Sequence, residues 1–204
     1  MALERPDPPE SSRLQAIEGL RQSRKKTLAA EVSGGAPPVI SDPHQVFTLD
    51  PQDIIAGAGL GAAKAVGWRY LAGQAEGIAA GGSSPSPTVV AEVTEQDGVP
   101  RFSHRQEGWL AKQTRQTMDI AAKIPEVSSG SYDLRMLRLP SVKHIDALWL
   151  KNKGSGEDLI IPIASNSPKV VAGQTYTAGN FLTLVRALAQ EPSFDNSPRE
   201  SLPL

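Results

Sequence analysis

Three segments packed into 34 residues constrain the fold most: "SYDLRMLRLP" (Ser131 to Pro140), "VKHIDALWL" (Val142 to Leu150) and "DLIIPIA" (Asp158 to Ala164). Each is rich in branched apolar residues, and short turns such as "KNKGSGE" join them, so all three read as strands. In the first, the alternation slips between Met136 and Leu137, which predicts a bulge. Pro162 has no N–H to give a ladder, so the third strand belongs at an edge or its pairing ends there. A helix follows. Thr177 is placed as its cap, and Phe181, Leu184, Val185 and Leu188 recur at helical spacing. Tyr176 and Phe181 stand five apart around the cap, as in a hydrophobic staple.

Upstream, "GWRYLAGQ" and "TVVAEVTE" read as two more strands, and "QDG" as a turn. "HQVFTL" is a short extended entry. Asp50 and Pro51 open a short helix, Asp50 as cap and Pro51 where its missing N–H costs nothing. "SHRQEGWLAKQTRQTMDIAAKI" reads as a helix, with Ser103 and Gln106 as a capping box. Strands in runs with short turns favour α+β architecture: a mainly antiparallel sheet of about five strands, helices on one face and flexible tails at both ends. The expected organisation is a flexible arm over residues 1–43 that carries an amphipathic basic helix, one α+β domain over 44–190 and a disordered tail over 191–204. Clustered Pro and Gly in "SGGAPP" and "GGSSPSP" mark linkers and loops.

Composition removes several chemistries. The chain has no cysteine, which excludes disulfides, zinc–thiolate sites and cysteine nucleophiles. The three histidines, His44, His104 and His144, have no partner three to five residues away, so no metal-binding pair arises. The net charge of −1 gives no general attraction to nucleic acid or to an anionic membrane. No apolar run is long enough for a membrane span, and the N-terminus carries no signal-peptide pattern. The expectation is a soluble cytoplasmic protein without cofactor or metal. Nothing in the sequence specifies an oligomeric state.

"GAGLGAA" from Gly57 matches the spelling of a dinucleotide-binding turn. That fingerprint needs a strand feeding its first glycine and a helix opening on its last. Here a helix start precedes it and a strand follows, so the better reading is a close-packed turn. Nucleotide binding at Gly57–Ala62 is the weakest of three functional readings.

The second reading is a small-molecule site or small enzyme on the concave sheet face. His144 and Asp146, two apart on one expected strand, are its catalytic candidates. Trp68, Arg69, Tyr70 and Trp149 are its ligand-binding candidates, with Arg69 opposite Trp68 and Tyr70. The first reading is a non-enzymatic interaction module that binds a protein partner through the N-terminal arm. There Leu14, Ile17 and Leu20 form an apolar stripe beside the basic Arg21, Arg24, Lys25 and Lys26. No serine-nucleophile elbow is present.

Overall fold

The computed structural model describes residues 4, 6–27, 39–73 and 89–191, of which 24–27 by backbone alone. The elements run α1 (Glu10–Thr27), β1 (Val39–Thr48), α2 (Pro51–Ala56), β2 (Lys64–Gly73), β3 (Val89–Gln96) and β4 (Val99–Glu107). They continue with α3 (Trp109–Ala121), α4 (Pro125–Ser129), β5 (Tyr132–Leu139), β6 (Ile145–Asn152), β7 (Leu159–Ala164), β8 (Tyr176–Thr177) and α5 (Ala178–Ala189).

The fold is α+β, with one mixed sheet of eight strands in the order β4-β3-β2-β1-β5-β6-β7-β8. β1 and β5 pair in parallel, and every other neighbouring pair is antiparallel. The expected five strands therefore become eight. β1 extends well beyond the expected "HQVFTL". β4 occupies residues read as the start of a helix, and β8 is a two-residue addition. Ser103 and Gln106 lie in β4, and α3 begins only after Gly108, whose φ is +88°.

Helices cover both faces rather than one. On the first face, Leu110, Ala111, Met118 and Ala121 of α3 pack on Leu71, Val90, Met136, Leu148 and Ile161. α3 is about 20 Å long and crosses that face, touching β3 and β4 as well as β7. On the opposite face, Ala16 and Leu20 of α1 meet Trp68, Tyr70, Ala91 and Val93. Ile54 of α2 and Phe181, Val185 and Leu188 of α5 cover Leu137, Ile145, Ala147 and Trp149. Two covered faces explain why Met136 and Leu137 are both buried. The β5–β6 register runs unbroken from Tyr132 to Leu139, so the expected bulge is absent.

α1 is a docked helix, which departs from the expected arm over 1–43. Ser12 Oγ lies 2.8 Å from Tyr70 Oη. Gly19 sits so close to the Phe102 ring that a Cβ there would overlap it. Glu4 forms a parallel bridge to Asp133, its N–H donating to the Tyr132 carbonyl at 3.0 Å. The "SGGAPP" and "GGSSPSP" segments lie outside the described residues, as does the tail beyond Glu191.

Other local expectations match. The Asp50 carboxylate accepts from the Gln52 N–H at 2.8 Å, with Pro51 in the first turn of α2. The Thr177 hydroxyl accepts from the Asn180 N–H at 3.4 Å. The Tyr176 and Phe181 rings meet edge to face at 6.2 Å. The Pro162 carbonyl accepts from the Gly173 N–H, on the side away from β6, so its missing N–H falls past the end of β8.

Candidate functional site

Four charged side chains meet on the α3 side of the sheet. Arg69 projects from β2, Glu92 from β3, Arg138 from β5 and Asp146 from β6. Side chains alternate along a strand, so each shares its face with an apolar neighbour two residues away: Leu71, Val90, Met136 and Leu148. Each charge therefore sits at the end of an apolar stripe.

Arg69 is fully buried. Its Nε donates to Glu92 Oε1 at 2.7 Å, and its Nη2 donates to Asp146 Oδ2 at 2.8 Å. Its Nη1 lies 3.5 Å from the Met136 sulfur. Arg138 Nη2 also donates to Glu92 Oε1, and its Nε donates to Asp146 Oδ1 at 3.3 Å. Each guanidinium thus bridges both carboxylates. β2 and β6 stand three places apart in the sheet, as do β3 and β5, about 14 Å across a flat sheet. The ion pairs reach across β1 and fasten the two halves of the sheet together. His104 of β4 stands at the rim, its Nδ1 3.4 Å from Glu92 Oε2.

Burial alone would push both carboxyls up, because a charge in low dielectric is disfavoured. The Arg69 and Arg138 guanidiniums outweigh that and hold Glu92 and Asp146 below the usual carboxylate range. Burial works against the Arg69 charge, but Asp146 and Glu92 more than offset it. Two positive and two negative charges satisfy one another. General acid–base work at neutral pH calls for a pKa near the working pH, and the two carboxylates are tuned the other way.

The sign of the pH dependence follows. Unfolded carboxylates take up protons near about pH 4, whereas Glu92 and Asp146 hold theirs off to lower pH when folded. The stabilisation is complete above the unfolded values and is lost as pH falls through the folded ones. Urea unfolding between pH 7 and pH 3 is expected to show a steep loss on the acid side. That loss should be shallower in a Glu92→Gln/Asp146→Asn double variant; an unchanged slope contradicts the assignment.

The structure separates the other expected site residues. His144 lies in the turn before β6, exposed, with φ +47°, so it does not share a strand face with Asp146. The chain turns from Pro140 to His144, and Lys143 also has positive φ. Asp146 joins Arg69 instead, which brings together two residues that the sequence assigned to different roles. Trp68 and Tyr70 lie on the opposite face under α1, and Trp149 lies under α5 with its Nε1 donating to Asp158 at 3.0 Å. In α1, Leu14 and Arg21 are exposed, Ile17 is half-buried and Leu20 is buried. The side chains of Arg24, Lys25 and Lys26 lie outside the described residues.

Gly57 caps the C-terminus of α2 with φ +87°, a left-handed conformation that suits glycine. A single 3-10 turn and then β2 follow. A Cβ at Gly59 or Gly61 would meet nothing within 4 Å, so the close approach in this turn is confined to Gly57, where a Cβ would lie 3.0 Å from Arg186 Nη2. Among the described residues, no three His, Asp or Glu side chains are grouped to hold a metal ion. No helix among them is long and apolar enough to cross a membrane. Comparison with family models, with curated proteins and with solved structures finds no match for this chain.

Proposed function

We propose that this chain is a non-enzymatic binding module that docks a protein partner on the outward side of α1. The observation that carries the reading is the division of labour between the two faces. The charged residues under α3 satisfy one another and fasten the sheet. α1 presents Leu14, 58% exposed, one side of a helix whose other side is anchored by Ala16 and Leu20. Arg21 lies two turns on from Leu14 and is exposed. An exposed leucine beside a cation on a rigidly held helix suits helix-face recognition. The reading of a ligand-sized pocket on the sheet face has less support, because α3 crosses one face and α1, α2 and α5 cover most of the other.

A photo-crosslinking residue placed at position 14 tests this in cells that express the protein, with position 52 as the surface control. A discrete adduct is expected from position 14 and not from position 52. Arg21→Glu is expected to abolish it without changing the melting temperature. Equal labelling at both positions, or an adduct indifferent to Arg21→Glu, overturns the reading.

A further inference from the structure

A cleft opens between the N-terminal end of α1 and strands β2, β3 and β4, beside the β3–β4 turn and on the face opposite the charge cluster. Pro9 and Pro100 wall it, Trp68 and Val93 lie beneath, and Ser11 and Glu95 border it. Its volume is about 170 Å³. A cavity of about 150 Å³ holds a benzene-sized group, whereas drug-sized ligands need roughly 300 Å³ or more. The cleft is therefore the size of one side chain.

Chemistry then narrows the occupant. Among the described residues lining the cleft, Glu95 is the one with an ionisable side chain, so the complement is a cation. Trp68 offers an indole, the aromatic ring that cations favour most. Ser11 adds a hydroxyl acceptor. An anion would be drawn to the start of α1, but Glu10 sits in that first turn and opposes it. A primary ammonium has three donors on a thin alkyl stem and fits a carboxylate and a hydroxyl above an aromatic floor.

The frame is firm. The Ser12–Tyr70 hydrogen bond ties α1 to β2 beside the cleft. The β3–β4 turn is an Asp97-Gly98 pair with both φ values positive, a tight hairpin that fixes Glu95 opposite Pro100. Leu14 lies three residues from Ser11, one turn along the same helix.

We infer that this cleft receives the side chain of a lysine from the protein partner, next to the contact made by Leu14. The inference rests on the proposed partner-docking role and names the chemistry of one contact in it.

The test is an NMR titration of the full chain with n-butylammonium, n-butyrate and the peptide acetyl-Ala-Lys-Ala-amide. Saturable shifts of the Trp68 indole N–H and the Gly98 amide are expected with butylammonium and with the peptide. Butyrate should leave both unmoved. Glu95→Gln should weaken both binding curves at least fivefold while the rest of the spectrum is preserved. Equal responses to butyrate and butylammonium, an unaltered affinity in Glu95→Gln, or no saturable shift at all overturns the inference. So does binding of butylammonium without the peptide, which would make the cleft a site for free amines. A failed titration beside an intact adduct at position 14 removes the lysine contact alone. A missing adduct beside a successful titration removes the docking reading and, with it, the partner as the source of the lysine.

Discussion

Replacing Arg69 with methionine is expected to destabilise the protein by about 3–5 kcal/mol, the cost of breaking a buried ion pair by removing one partner. Arg69 is fully buried and holds Glu92 and Asp146 at 2.7 and 2.8 Å. Methionine fills much of the volume but leaves two carboxylates buried, with Arg138 shared between them and His104 at the rim of Glu92. Most of the effect is the penalty for stranded charge rather than the strength of the pairs themselves. A second variant separates the two. Arg69→Met/Glu92→Leu/Asp146→Leu removes the stranded carboxylates, and Arg138, partly exposed, can turn to water. That triple variant is expected to recover most of the lost stability, since apolar replacement of buried ion pairs is often neutral. Urea unfolding measures both. A loss below about 1 kcal/mol in Arg69→Met would place the cluster among surface ion pairs.

Phe181→Ala is expected to cost a similar amount, about 3–5 kcal/mol for a buried aromatic cut to alanine. Phe181 is fully buried at the foot of α5 and meets Tyr176 edge to face. It joins Leu137, Ile145 and Trp149 beneath the helix, where a cavity has little chance to collapse between sheet and helix. Leu184 on the same helix is only partly buried, so Leu184→Ala should cost much less. The same urea experiment checks the pair; equal losses would mean that α5 does not pack through Phe181.

α5 was legible because its apolar residues repeat at helical spacing and its cap and staple are local. The β6–β7 hairpin was legible for the same reason: turn and alternation are adjacent in sequence. β4 was not. It is an edge strand, polar along most of its length, so its alternation carries little signal, and Ser103 with Gln106 imitates a helix cap. β1 was clipped because Asp42 and Pro43 interrupt it at an irregularity in its pairing with β2. α1 misled differently. Its docked side is built from the small residues Ser12, Ala16 and Gly19, which allow close approach, together with Leu20, whereas a search for large apolar residues selects Leu14, Ile17 and Leu20, of which Leu20 alone is buried.

The charge cluster was half legible. Arg69 and Asp146 stood out as polar residues of one expected sheet-face site, though not as partners of each other. Glu92 reads in sequence as one of three acidic residues, with Glu95 and Asp97, at a solvated strand end, and Arg138 did not stand out, although each interrupts an apolar run, "TVVAEVTE" and "RMLRL". A charge inside an apolar strand needs a buried counter-charge, and four such interruptions with balanced sign were the available signal. Which pairs with which depends on strand order, and no single sequence gives that directly.

The central claim separates a structural face from a docking face. Isothermal titration of the partner captured at position 14, against Leu14→Asp and Arg69→Met at a temperature where both variants are folded, tests it most directly. The account predicts at least a tenfold rise in Kd for Leu14→Asp with its melting temperature unchanged. It predicts an unchanged Kd for Arg69→Met despite a lowered melting temperature. The reverse pattern, with binding lost in Arg69→Met and kept in Leu14→Asp, would contradict it.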